Sequence, residues 1–391
     1  MTPNPENIRA IDSHGILVYY WERSHMILKP AGVFLGTFPN EDVHLPPKRT
    51  ARNKKNHARP TIIHVARAAR VSKSTVSRVL QGDAASVKSE TRQAVQRAMR
   101  KLGYERNAVA SSLRTARTFM VLLVVPDITN PFWSEVARGL QDTLEQPGYS
   151  VVVGNGDWDP HRESQFLQIA RRNRFDGIAI NPTTIHSREL LATGIPTVIL
   201  GIRDGFPNID MIGSDSFRGA SDALAYLYQV GHRRIGFIYG RYNTDPGRAR
   251  FDAYTEFAKQ HDLPFDPSLI VEVPFDHAGG QHGMQTLLSL SHPPTAVFAS
   301  NDILAIAAMQ TAAALGMKIP EDVSIVGMDD IYPAAMTTPQ LTTMAKQKYE
   351  IGCQAARLLL DRIEGNAPHE GRRSALRCQL IERGSVAPPH A

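Results

Sequence analysis

Residues 61–80 read TIIHVARAARVSKSTVSRVL. Lys73, Ser74 and Arg78 fall at the start and on the outer face of a helix that begins after Ser72, with Thr75 and Ser77 beside them as phosphate contacts. An arginine grips a guanine edge with two hydrogen bonds, and lysine or serine takes a base edge or a phosphate. Val76 and Val79 face inward and hold the angle. A first helix ending near Ala69, a turn at Arg70-Val71 and this second helix form a helix-turn-helix, whose second member lies in the major groove. A second group stands further on. An apolar run ends in Val125-Pro126-Asp127-Ile128-Thr129-Asn130-Pro131-Phe132-Trp133. Polar groups and rings at a strand tip suit a sugar, whose hydroxyls need hydrogen bonds and whose ring face packs on aromatics.

Catalytic patterns are missing. The strand tip has no Gly-x-Gly-x-x-Gly, and no Gly-x-x-x-x-Gly-Lys, Gly-x-Ser-x-Gly or His-Glu-x-x-His occurs. His277 and His282 flank Gly279-Gly280 but read as solvated loop histidines. Asp329 and Asp330 are adjacent on a strand end, so their side chains point apart and form no acid–base dyad. No cofactor and no metal is implied.

These groups need elements to position them. Ile62, Val65, Ala66 and Ala69 form one helical stripe, Val76, Val79 and Leu80 a second, and Thr91, Val95, Ala98 and Leu102 a third. Thr61 and Ser72 are placed to cap the first two helices. Residues 107–114, NAVASSLR, are too few for a helix stable alone in water. Asn107 can cap it, and Ala110 and Leu113 lie one turn apart. From residue 119 onward, apolar runs alternate with helical stretches: 119–125, 150–154, 177–180, 197–200, 235–239, 269–273, 296–299 and 324–327. That rhythm means parallel sheet with helices on both faces, in two α/β lobes.

The charge is as uneven as the pattern. The 391 residues carry a net charge of +6, with 42% hydrophobic and 21% charged residues. Residues 48–118 hold 18 Lys and Arg against 3 Asp and Glu, whereas residues 119–391 hold 23 against 30. A basic block ahead of an acidic remainder points to a polyanion partner for the block alone. Part of the block, Lys48 to Arg59, is an arm that is either a solvated tail or a source of extra phosphate contacts. Cys353 and Cys378 are the only cysteines, which excludes a disulfide scaffold and fits a reducing cytosol. No membrane-length apolar run and no secretory signal pattern is seen, so the expected location is cytoplasmic, without a membrane partner.

From Thr61 to about Val386 the chain resembles the lactose-repressor/galactose-repressor family of bacterial transcription regulators. The resemblance rests on Val65-Ala66, Val71-Ser72, Thr75-Val76-Ser77-Arg78 and Val79-Leu80. It continues in Val87, Thr91-Arg92, Val95 and Leu102-Gly103-Tyr104, then in Asn107, Ala110 and Leu113-Arg114, and closes in Leu380 to Val386. It implies an α/β fold class: a three-helix helix-turn-helix domain and hinge helix, followed by a two-lobed, periplasmic-binding-protein-like core of parallel sheets. The expected boundaries are an extension at 1–59, the DNA-binding domain at 60–106, hinge and linker at 107–118, the core at 119–386 and a frayed tail at 387–391. Lobe one takes about 119–213 plus 346–375, and lobe two about 214–345 plus 376–386.

The resemblance also assigns residues. In a dimer, paired hinges would press Leu113 between base pairs from the minor groove, with Asn107, Ala110 and Arg114 alongside. Phe132, Arg250, Phe275, Asn301 and Asp329 would contact the effector. Five positions depart from the family: Arg70 stands where Gly is common in the turn, His64 replaces an Asp, Arg106 replaces a Pro, Ala253 replaces a Gly, and Lys346 replaces a Gln. Lys346 beside a cleft would favour an acidic sugar. The reading is a homodimeric regulator, a repressor of sugar-utilisation genes, that binds palindromic double-stranded DNA under control of a sugar-like effector; tetramers stay open. Two other classes are a sugar-binding receptor with no regulatory role and a sugar-metabolising enzyme.

Overall fold

The computed structural model describes residues 10–11, 17–18, 60–80, 87–105, 117–240, 245–261, 263 and 266–390. Asn107, Ala110, Leu113 and Arg114 of the expected hinge, with Arg106, lie outside the described residues. Contacts divide the chain into residues 1–60 and 61–391. In the first unit, Ala10–Ile11 pairs antiparallel with Leu17–Val18.

The second unit begins with α1 (Ile62–Ala69), α2 (Lys73–Leu80) and α3 (Ser89–Leu102). Val65, Val76 and Val95 are fully buried, one from each helix, with Ala66 and Ala98 beside them. The three stripes thus meet in one small core, and Ile62, Val79 and Leu102 pack around it. His64 turns out to replace an acid's capping role rather than merely lack its charge. Its Nδ1 accepts the Thr61 backbone N–H at 3.1 Å, satisfying a donor that would otherwise be orphaned at the helix start. Ser72 Oγ accepts the Thr75 N–H at 3.1 Å and so caps α2.

Arg70 ends α1 in the left-handed conformation, at φ 54° and ψ 43°. An L-residue with a Cβ is strained there and glycine is not. Arg70→Gly is therefore expected to stabilise the three-helix unit by about 0.5–1 kcal/mol, after allowing for glycine's looser unfolded chain. Amide hydrogen exchange across α1–α3 in the full chain would show it as slower exchange.

The core holds two six-stranded sheets. The first lobe's strands are β1 (Met120–Val125), β2 (Ser150–Asn155), β3 (Gly177–Ile180), β4 (Thr197–Leu200), β5 (Asp210–Ser214) and β11 (Arg373–Leu376). The second lobe's are β6 (Ile235–Gly240), β7 (Ile270–Val273), β8 (Ala296–Ala299), β9 (Ser324–Asp329), β10 (Thr342–Ala345) and β12 (Gln379–Ile381). Their orders are β11-β5-β4-β3-β1-β2 and β12-β10-β9-β8-β6-β7. All pairings are parallel except β10 with β12. In β1 five successive residues, Val121 to Val125, are buried, as expected of a strand covered on both faces.

Helices cover the sheets. α4 (Pro131–Glu145) packs on α11 (Lys348–Glu364). Gly139 and Gly352 permit that crossing, since a Cβ at either would lie within about 2 Å of a facing backbone carbonyl oxygen. α5 (Pro160–Arg172) and α6 (Ser187–Leu191) complete the first lobe's helices. The second lobe carries α7 (Ser216–Val230), α8 (Asp245–Gln260), α9 (His277–Leu288) and α10 (Asp302–Ala314). The chain crosses between the sheets three times: after Ser214, after Ala345 and after Leu376.

The tail expectation needs correcting. Ala387 is held rather than frayed: its carbonyl oxygen lies 3.0 Å from His232 Nε2 and accepts the Ser324 hydroxyl at 3.1 Å. Its N–H donates to Ser324 Oγ at 3.1 Å. Both side chains are buried and would lack those partners without the tail. Burial pushes the His232 imidazole below its ordinary value, against the hydrogen bond to Ala387.

Candidate functional site

The exposed side of α2 presents Lys73, Ser74 and Arg78, while Thr75 and Ser77 are half-buried. Ser72 Oγ sits 2.7 Å from Ser74 Oγ and 2.8 Å from Thr75 Oγ1. A hydrogen-bonded hydroxyl cluster therefore opens the helix, followed one turn later by a solvent-facing arginine. Among the described residues no helix is long and apolar enough to cross a membrane.

The second site is a cavity of about 250 Å³ between the two lobes. Phe132, Arg250, Phe275, Asn301 and Asp329 all line it, so the structure brings together five residues spread over nearly two hundred positions. Phe132 opens α4, where Asn130 caps by accepting the Phe132 N–H at 3.0 Å. Arg250 projects from α8 and is only 4% exposed. Asn301 caps α10 through its side-chain oxygen, 2.8 Å from the Leu304 nitrogen.

Asp329 ends β9 with φ 124°, and Asp330 follows at φ 56°. Two successive residues in this region are strained, and the result is that the two carboxylates part. Asp329 forms a buried ion pair with Lys346 at 2.9 Å, while Asp330 pairs with Arg383 at 2.7 Å. Lys348 ties the lobes together here. Its Nζ donates to the Asp329 carbonyl at 2.9 Å and the Asp330 carbonyl at 2.6 Å, and it lies 3.4 Å from Glu135 of α4.

Burial and the neighbouring Asp329 push the Asp302 carboxyl up to about 7, although it accepts hydrogen bonds from Thr343 and the Ile331 backbone. The folded chain holds this proton while an unfolded chain releases it near 3.8. The stability this provides is present in full below that value and is lost as pH rises through about 7. Asp302→Asn is expected to flatten the decline, which urea melts between about pH 4 and 8 will reveal.

Sequence reasoning missed several lining groups. Trp158 stacks on Phe275 at 5.4 Å and 16°, joining a loop after β2 to one after β7. Trp133, one of the strand-tip rings already read from the sequence, packs edge-on to Phe132 at 4.8 Å. The strand-tip rule that found Phe132 also applies to Trp158 and to Asn181 after β3, which both line the cavity. Ser214, Asp215, Ser216 and Phe217 were hidden because β5 opens with a buried aspartate and reads poorly as a strand.

A helix-turn-helix joined to a bilobed, ligand-sized cavity defines a DNA-binding transcriptional regulator. Residues 61–107 match the profile described as bacterial regulatory proteins, lacI family, and residues 224–386 match a periplasmic binding protein-like domain. Over 337 residues the chain is 33% identical to the HTH-type transcriptional repressor CytR of Escherichia coli (strain K12), spanning 85% of this chain and 98% of that protein. The chain belongs to the lacI family of bacterial regulatory proteins. The structure of the transcriptional regulator CelR–cellobiose complex superposes with a TM-score of 0.64 at 30% identity, covering 84% of this chain and all of that one. The lac repressor dimer bound to operator and the anti-inducer ONPF shares the fold, with a TM-score of 0.75 at 24% identity over 84% of this chain and 99% of that one.

Proposed function

We propose that this protein is a homodimeric repressor whose grip on a palindromic operator is set by a small polyhydroxylated effector in the interlobe cavity. The observation that carries the reading is the convergence of Phe132, Arg250, Phe275, Asn301 and Asp329 on one cavity, in a chain that also presents Lys73, Ser74 and Arg78 from a helix-turn-helix. One such helix reads few bases, and two related by a twofold axis read a palindrome. Relatives named as a CytR repressor and a CelR–cellobiose complex support both halves. Asn107, Ala110, Leu113 and Arg114 are assigned to the hinge, with Leu113 as the minor-groove wedge. The cavity is assigned binding rather than catalysis, because its buried aspartate, Asp329, is committed to Lys346 and Asp127 and Asp215 serve as acceptors of local backbone N–H groups. A reducing cytosolic setting accords with two unpaired cysteines.

Coupling between the sites follows from linkage. A ligand that weakens operator binding is itself weakened by operator, by a shared factor worth about 1–3 kcal/mol in typical allostery. The deciding measurement is a gel shift on palindromic sequences from the protein's own upstream region, across a salt series and with a sugar panel. Retarded complexes that weaken with log salt and respond to one sugar are expected. Absence of any complex at low salt, or indifference to every sugar, rejects the reading.

A further inference from the structure

The cavity wall contains three ionisable side chains that are almost fully buried: Arg250, Lys346 and Asp329. Two are cations and one is an anion. Lys346 and Asp329 satisfy each other at 2.9 Å. Arg250 has no such partner: its buried Nε makes no hydrogen bond among the described residues. Its nearest aromatic contact, the Phe275 ring, is 5.9 Å from the guanidinium carbon.

Among the described residues no other acid forms an ion pair with it. Asp127 and Asp215 line the cavity half-exposed. Their bonds, from the Thr129 N–H and hydroxyl to Asp127 and from the Arg218 N–H to Asp215, come from neutral donors and leave both charged, but water screens these half-exposed carboxylates and neither forms a described ion pair with Arg250. Asp302, behind Asp329, is bonded to Thr343 and Ile331. The Cys378 thiol is pushed upward by burial and so stays uncharged. Among the described residues one buried positive charge is therefore left without an ion-pair partner, and an uncompensated buried charge is costly.

We propose, building on the effector reading above, that the ligand is a monoanion: a single-ring or similarly small polyol bearing one carboxylate, received by Arg250 beside the Lys346–Asp329 pair. A guanidinium matches a carboxylate through two parallel hydrogen bonds. Phe132, Trp133, Trp158 and Phe275 supply ring faces for the rest of the ligand. One surplus charge favours a monoanion over a phosphorylated sugar, whose phosphate brings about two negative charges. Lys346 is the specificity-determining residue, because it takes Asp329 into its own ion pair and so leaves Arg250 without one. A neutral side chain there would let Asp329 balance Arg250 instead.

The test uses the full chain, with thermal shift and calorimetry. The probes are D-glucuronate, D-galacturonate and D-gluconate, their neutral parents D-glucose and D-galactose, and D-glucose 6-phosphate, each to about 10 mM. A carboxylated probe is expected to bind about tenfold or more tighter than its parent and than the phosphate ester. In Lys346→Gln that preference should fall toward parity, and in Lys346→Arg it should persist. Equal or tighter binding of a neutral sugar or the phosphate ester by the wild-type chain overturns the proposal, as does silence from all three carboxylates. An unchanged preference in a folded Lys346→Gln overturns Lys346's role. Gel shifts run in parallel keep the two readings apart: operator release by a neutral sugar rejects only the charge inference, whereas absence of any operator complex rejects the regulator itself.

Discussion

Arg250→Met is expected to abolish the effector response while leaving the ligand-free protein at least as stable. The substitution removes a buried cation whose Nε has no hydrogen-bond partner among the described residues, and it leaves Asp329 paired with Lys346. Replacing buried ionic groups by apolar ones of similar volume is commonly neutral or stabilising by about 1–4 kcal/mol. Burial already pushes the Arg250 guanidinium down from its ordinary value, partly offset by Asp329. The bound state loses what the free state never had: a charged hydrogen bond to ligand worth about 2–5 kcal/mol when truncated. Thermal melts with and without effector separate the two effects. A large loss of stability without ligand, or an effector shift equal to wild type, contradicts the account.

Asp210→Asn is expected to be the most damaging single change in the first lobe. Asp210 opens β5 with no exposed surface. Its carboxylate accepts from Arg362 Nε and Nη2 at 2.9 and 2.8 Å, and from the Arg372 backbone N–H and Nη2 at 2.8 and 2.7 Å. Burial alone would push the carboxyl up, but the bonds from Arg362 and Arg372 outweigh it and hold it at about 2, against 3.8 ordinarily. Breaking one side of such a buried network costs about 3–5 kcal/mol. The stability tied to this ionisation is present above the unfolded value and is lost as pH falls through about 2. Denaturant midpoints for the variant should drop sharply at neutral pH and show a shallower fall into acid than wild type. The sign is opposite to that of Asp302, whose contribution fades as pH climbs.

Much of this was legible beforehand because the relevant physics is local. The three helical stripes needed only their spacing, and all eight apolar runs after residue 119 overlap strands of the two sheets. Asp210–Ser214 and Thr342–Ala345 were not legible as strands: each is short, and their polar residues are buried by partners more than a hundred, and about forty, positions away. Arg70's left-handed backbone was foreseeable from the glycine it replaces. The Trp158–Phe275 stack was not, because it depends on how two lobes meet. Likewise the Lys346–Asp329 pair required a strand end turned by two positive φ angles.

Two of the three passages between the sheets run along the cavity wall, through Ser214, Asp215 and Lys346, and the third places Cys378 among the same charges. The pivot on which the lobes would turn is thus made from the residues that would greet the effector. An exchange made here to admit a different molecule also changes how readily the halves rotate, so selectivity and responsiveness are set by the same few codons and evolve together.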